Sequence, residues 1–277
     1  MKRLMLVVAA CLLAVTAQAQ PTPALRMINL ITFGGGVNLP IYVAQRQGFF
    51  AKHGVDINLR YTPNSVYLMT GLLEGRFDIA TSSIDNLVAY QEGQGEAPVK
   101  VQPDLVAFMG LENGFLNLVA LPDVKTIGDL RGKDIGVDAL TTGFAFVARE
   151  MMERAGIKDS DVKYVGAGGT PLRYAALLDR KFAATLLVTP FDLQAEAKGY
   201  TRLGNDRDMT PALAKKTYDL FVDKKTGLYR DLKIDMDGFT VVLGLRAKYG
   251  QPKRELGDPS KYVDLELYRK AFPDASR

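Results

Sequence analysis

The stretch RMINLITFGGGVNLPIYVAQRQGFFAKHGVDINLRY, residues 26–61, decides the fold. Arg26 to Phe33 alternates as a strand does, and Gly34-Gly35-Gly36 turns the chain. Asn38 reads as an N-cap with Pro40 in the first turn, and Ile41, Val43, Ala44 and Gln47 carry a helix to Gly48. Val55 to Tyr61 is a second strand. Strand, helix and strand within so few residues predict a parallel crossover and hence an α/β sheet.

The same grammar continues on the C-terminal side. Helices are expected at Ser65–Glu74 and Ile84–Gln91, and strands at Phe77–Ala80 and Leu105–Met109. Phe115–Leu121 is a strand leading away, and a new α/β unit opens with strand Asp134–Val137 and helix Gly143–Ala155. Strand Val162–Val165, helix Pro171–Leu178, strand Ala184–Val188, helix Asp192–Lys198 and a strand around Tyr200–Leu203 complete it. In the tail beyond Pro211, Val241 and Val242 favour strand, yet Phe239, Val242, Leu243 and Arg246 share one helical face, and the helix is preferred. There is no internal repeat.

At the N-terminus Lys2 and Arg3 precede an apolar run, Leu4 to Val15, and the small residues Ala17-Gln18-Ala19. This is the form of a cleavable secretory signal, too short for a membrane span and cut after Ala19. Val8-Ala9-Ala10-Cys11 resembles a lipobox, but cutting there would leave apolar Leu12 to Val15 at the new terminus. The expected divisions are signal 1–19, lobe one 20–113, lobe two 114–207, and a C-terminal helical return, 208–277, packing on lobe one. The exported chain has 258 residues, enough to bury roughly 70–75% of the unfolded surface.

Composition narrows the chemistry. Removing Lys2 and Arg3 with the signal lowers the formal charge from +4 to +2. There is no Trp and no basic stripe interleaved with aromatic residues, so nucleic acid is not an expected partner. The single cysteine, Cys11, leaves with the signal, and the single histidine, His53, follows the first helix. No metal site, cofactor or Cys-centred nucleophile is expected from such a set. Asp235 and Asp237 read as acids at a helix start, not as an acid–base pair.

Several phrases, met in order, resemble periplasmic solute-binding proteins of ABC transporters for sulfonates, taurine, nitrate and thiamine-pyrimidine precursors. They are Pro40-Ile41-Tyr42-Val43-Ala44 with Gly48-Phe49-Phe50-Ala51-Lys52-His53-Gly54-Val55-Asp56, then Gly75-Arg76-Phe77-Asp78-Ile79-Ala80 and Ile127-Gly128-Asp129-Leu130-Arg131-Gly132-Lys133. Thr189-Pro190, Gly199-Tyr200 and Lys261-Tyr262-Val263-Asp264 are later echoes. The resemblance implies a type II periplasmic binding fold: two α/β lobes with a ligand cleft between them. It implies a monomeric, non-catalytic receptor for a small polar or anionic organic ligand, located in the periplasm and serving a membrane permease. The rival readings are a pyrimidine-synthase-like enzyme of the same fold, which relies on a cysteine cluster that this sequence lacks, and a ligand-sensing receptor subunit. One departure is a segment around Asn205 to Thr210 that is shorter than such proteins carry, at the return to lobe one.

Ligands of open α/β sheets bind beyond the carboxyl ends of strands, at helix N-termini with unpaired N–H groups. That rule selects Gly34, Gly35, Gly36 and Asn38, then Thr81, Ser82 and Ser83, then Ala139 to Gly143 with Thr141 and Thr142 as donors, and then Gly168, Gly169 and Thr170. Thr189, also after a strand, faces either cleft or core. The residues expected to bind ligand are Gly35, Gly36, Asn38, Ser82, Ser83, Thr141, Thr142, Gly143 and Thr189. Ser83 and Thr142 have plain capping as the competing role. Phe33 and Phe144 stand beside strand ends, where core packing competes with stacking on a ligand. None of these loops contains a basic side chain, so an anionic head is expected to be held by helix N-termini and hydroxyls.

Overall fold

The computed structural model describes residues 24–100, 103–112, 116–204, 228–229 and 231–273. The signal segment, the shortened stretch 205–210 and the first part of the tail lie outside the described residues.

The first lobe is built on a three-stranded parallel sheet in the order β2-β1-β3, with β1 at Arg26–Thr32, β2 at Val55–Tyr61 and β3 at Ile79–Thr81. Register pairs Arg26 with Val55 and Thr32 with Tyr61, while Thr32 also pairs with Thr81. The crossovers are α1 (Leu39–Arg46) with the short α2 (Phe49–Lys52), then α3 (Ser65–Leu73). Helix α4 (Ile84–Gln91) follows β3. Apolar residues of β1 pack on both faces: Ile31 joins Leu68, Met69, Ala89 and Tyr90, and Leu30 joins Ile41 and Ile57. Leu30 and Ile31, on opposite faces, are thus both buried, so the end of β1 departs from the alternation read in the sequence.

The second lobe holds a five-stranded sheet in the order β6-β5-β7-β4-β8. Its strands are β4 (Asn117–Ala120), β5 (Asp134–Val137), β6 (Lys163–Gly166), β7 (Ala184–Leu187) and β8 (Thr201–Arg202). β5 runs parallel to β6 and β7, whereas β4 is antiparallel to β7 and β8. Helices α5 (Gly143–Arg154), α6 (Thr170–Leu178) and α7 (Phe191–Glu196) flank it. The largest core cluster, including Leu118, Ile135, Phe146, Met152, Leu177 and Phe182, lies here.

The tail forms α8 (Met236–Tyr249) and α9 (Glu266–Ala271). The helical reading of 239–246 is therefore the observed one. Asp235 caps α8 by accepting the Gly238 N–H at 2.9 Å, the helix-start role expected of it. Helix α8 touches both lobes. Phe239 and Leu243 pack on Val88 of α4, and Tyr249 lies 5.8 Å from Phe146 of α5, ring to ring.

One expected strand does not form: among the described residues Leu105–Met109 joins no sheet and makes a single bridge, between Ala107 and Val263. Its apolar side chains serve partly as packing, Leu105 against the core around Ile31, while Val106 and Met109 are exposed. An apolar run of this length satisfies a strand pattern without a partner edge to receive it.

Candidate functional site

The loops that leave the carboxyl ends of β1, β3, β5, β6 and β7 lead into the N-termini of α1, α4, α5, α6 and α7. Those of the first lobe, with the loop after β2, meet those of the second along one seam. The Gly36 N–H donates to Thr189 O at 3.3 Å, and the Gly169 N–H to Pro63 O at 2.8 Å. Ser65 Oγ donates to Asp138 Oδ2 at 2.7 Å. The Gly143 N–H donates to Asp85 Oδ2, and Arg246 Nη2 of α8 donates to Thr141 O at 2.7 Å.

Of the residues expected at the cleft, Gly36, Thr141, Gly143 and Thr189 touch the opposite lobe directly, and Thr141 Oγ1 also reaches Glu96 at 3.5 Å. A Cβ on Gly35 would stand 3.7 Å from Val188, so Gly35 also faces the second lobe. The others are engaged within their own lobe. Asn38 makes no side-chain cap. It is fully buried, with Oδ1 accepting from Thr32 Oγ1 at 2.7 Å and Nδ2 donating to Phe33 O at 2.7 Å. Ser82 is an exposed residue whose Oγ accepts from Asn86 Nδ2 at 2.9 Å. Ser83 caps α4, accepting the Asp85 N–H at 3.3 Å. Thr142 caps α5 through the Ala145 N–H at 3.4 Å and donates to Asp138 Oδ1 at 2.5 Å. Thr189 Oγ1 points back to Asp192 Oδ2 at 3.3 Å. His53 is exposed at the end of α2.

Because Thr142 combines a cap with a buried bond to Asp138, Thr142→Ala is expected to lower the stability of the unliganded protein by at least about 1 kcal/mol. The midpoint of urea unfolding measures this; an unchanged midpoint would remove both bonds from the account.

The basic groups that reach the seam, Arg173 and Arg246, stand on helices, while the acid Asp138 comes from a loop. Arg173, on the first turn of α6, is buried, with its guanidinium donating to Leu186 O at 3.1 Å and to Thr170 Oγ1 at 3.1 Å. Burial pulls its pKa down to about 10, a shift opposed by the charge of Asp138. The guanidinium stands 5.4 Å from the centre of the Phe144 ring. Phe144 thus has a protein partner and packs on the core, while Phe33 packs with the cluster around Ile31. Arg246 and Asp85 form a buried two-pronged pair, Nε to Oδ1 at 2.6 Å and Nη2 to Oδ2 at 2.7 Å. Asp192, at the start of α7, is fully buried beside Arg202 and accepts from Asn117 Nδ2 at 2.8 Å. Burial raises its pKa, and Arg202 opposes the shift. Among the described residues no group of three or more His, Cys, Asp or Glu side chains is placed to hold a metal ion.

With loops, helix N-termini and hydroxyls gathered where two α/β lobes meet, the arrangement is that of a periplasmic binding protein fold. The family described as NMT1/THI5 like matches residues 37–221, and the chain belongs to it. Among solved structures, a protein of Bordetella bronchiseptica RB50 superposes with a TM-score of 0.69 at 18% identity, covering 91% of this chain and 98% of that one. The ligand binding component of an ABC-type import system from Staphylococcus aureus, with zinc bound, gives 0.65 at 14% identity, covering 89% and 99%. The alkanesulfonate-binding protein SsuA from Xanthomonas axonopodis pv. citri, bound to MOPS, gives 0.53 at 16% identity, covering 66% and 61%. Among curated protein sequences none matches.

Proposed function

We propose that the chain is an exported receptor that captures a small polar or anionic organic ligand between its lobes and delivers it to the permease of an ABC importer, without chemical turnover. The observation that carries this reading is the convergence of strand-end loops and helix N-termini from both lobes on one seam, with Gly36 and Thr189 in direct contact across it. Membership of the NMT1/THI5-like family supports it. So does the fold shared with the ligand binding component from Staphylococcus aureus and the alkanesulfonate-binding protein from Xanthomonas.

In this reading residues 1–19 direct export and are removed, lobe one spans 20–113 and lobe two 114–207, and residues 208–277 return to lobe one. The protein works as a monomer in the periplasm. Helix N-termini supply partial positive charge and free N–H groups, each contributing roughly 0.3–1 kcal/mol toward an anionic group. Gly35, Gly36, Thr141, Gly143 and Thr189 lie where a ligand would part the lobes, Asn38 and Thr142 hold the loops that carry the first four, and Ser82 and Ser83 stand on the loop between β3 and α4.

A thermal-shift screen of sulfonates, carboxylates, nitrate and pyrimidines tests the reading. A ligand present at 100 times its dissociation constant adds about 2.7 kcal/mol of stability, a clear rise in melting temperature. A product released from a bound candidate would replace the receptor by an enzyme.

A further inference from the structure

Asp85 and Arg246 do more than neutralise each other. Asp85 sits in the first turn of α4 and Arg246 near the end of α8, and both are almost completely buried. The guanidinium rests 4.8 Å from the centre of the Phe146 ring, and its Nη1 donates to Gln94 Oε1 at 3.3 Å. After the two bonds within the pair, one polar atom of each partner engages the same short segment of the second lobe. Asp85 Oδ2 accepts the Gly143 N–H, and Arg246 Nη2 donates to Thr141 O.

That segment is the connection from β5 into α5, so the pair grips the second lobe at the N-terminus of its longest helix. Glycine is required for the grip: a Cβ on residue 143 would stand 2.8 Å from both Cβ and Cγ of Asp85. Farther along α8, Lys248 Nζ reaches Glu150 Oε2 and Glu153 Oε2 of α5, each at 2.8 Å, which keeps the helix seated on both lobes.

We propose that the Asp85–Arg246 pair is an interlobe latch: its two bonds to Thr141 and Gly143 hold the lobes together, and their release sets how readily the lobes part. The bonds between Asp85 and Arg246 need nothing from the second lobe, so opening exchanges the two outward bonds for water and lifts the guanidinium from Phe146 while the pair stays matched.

The test measures interlobe distance. In a Cys11→Ser background, Lys52→Cys and Ser160→Cys place spin labels on exposed sites of the two lobes. Pulsed dipolar spectroscopy then reads the fractions of short and long separations. Gly143→Ala is the decisive variant, since its Cβ would meet Asp85 at 2.8 Å and break the grip on the second lobe without altering either hydrophobic core. It is expected to raise the ratio of long to short separations at least tenfold, and Arg246→Lys, which keeps the charge but loses the fork, is expected to raise it by less. If Gly143→Ala and Arg246→Lys both keep the distance distribution of the parent, the pair is only a core ion pair and the latch is wrong. Should Arg246→Lys fail to fold, Gly143→Ala alone decides.

Discussion

Asp85→Ala is expected to destabilise the protein by about 3–5 kcal/mol, because it strands the Arg246 guanidinium in a site with no exposure to water. Folded domains are held by only about 5–15 kcal/mol, so this is a large fraction of the whole. The loss comes from the uncompensated charge more than from the bonds themselves. Replacing both members together, as Asp85→Leu with Arg246→Met, is therefore expected to restore most of the stability, since an apolar pair of similar volume carries no desolvation cost. Urea unfolding of the two single variants and the double variant closes the cycle. A double variant no better than Asp85→Ala would mean that shape at this junction matters more than charge.

The second large effect is expected inside the second lobe. Phe182 is 4% exposed, and its ring lies against β5 where Gly136 offers no side chain; a Cβ there would come within 2.5 Å of Phe182 Cζ. Phe182→Ala opens a cavity over Gly136 and is expected to cost about 3–5 kcal/mol. β5 runs directly into Asp138, which receives Ser65 from the first lobe, so loosening this strand also loosens the seam. The midpoint of urea unfolding reports the first effect. Faster hydrogen exchange at Val137 and Ala167, whose backbones are joined at 2.7 Å, reports the second. A loss below about 1 kcal/mol would show that neighbouring side chains collapse into the space.

Much of this architecture was legible in the sequence because its signals are local. The strand at 26–32, the turn into a helix at 39 and the strand at 55–61 follow from alternation, glycine and Pro40, and the seam follows from the rule that places ligands beyond strand ends. Asn64 escaped notice although its side chain caps α3. Short α2 also escaped, being a single turn without apolar periodicity. The failure at Leu105–Met109 has another origin, since hydrophobicity reports burial and says nothing of which edge is available. The buried charges were the main omission. Asp85 and Arg173 stand in first turns of helices, where such residues ordinarily face water; the partners of Asp85 lie far along the chain, and Arg173 is satisfied by nearby carbonyls and Thr170, which carry no charge signal. Arg246 did carry a signal: it shares a helical face with Phe239, Val242 and Leu243. A lone cation on an apolar stripe asks for a buried acceptor.

The separation of 161 residues between Asp85 and Arg246 bears on the order in which the chain acquires its structure. The second lobe is continuous in sequence from Asn117 to Arg202, and it begins and ends on neighbouring strands, with the Leu203 N–H bonded to Leu118 O at 2.8 Å. As the polypeptide emerges from its N-terminus, this block can complete its sheet before α8 has appeared. The first lobe must wait, because Val88 is covered only when Phe239 and Leu243 arrive. The entropic cost of closing so long a loop grows only logarithmically with length, yet the length defers the contact to the end of synthesis. Until then α4 presents an apolar face, with Asp85 beside it lacking its cation.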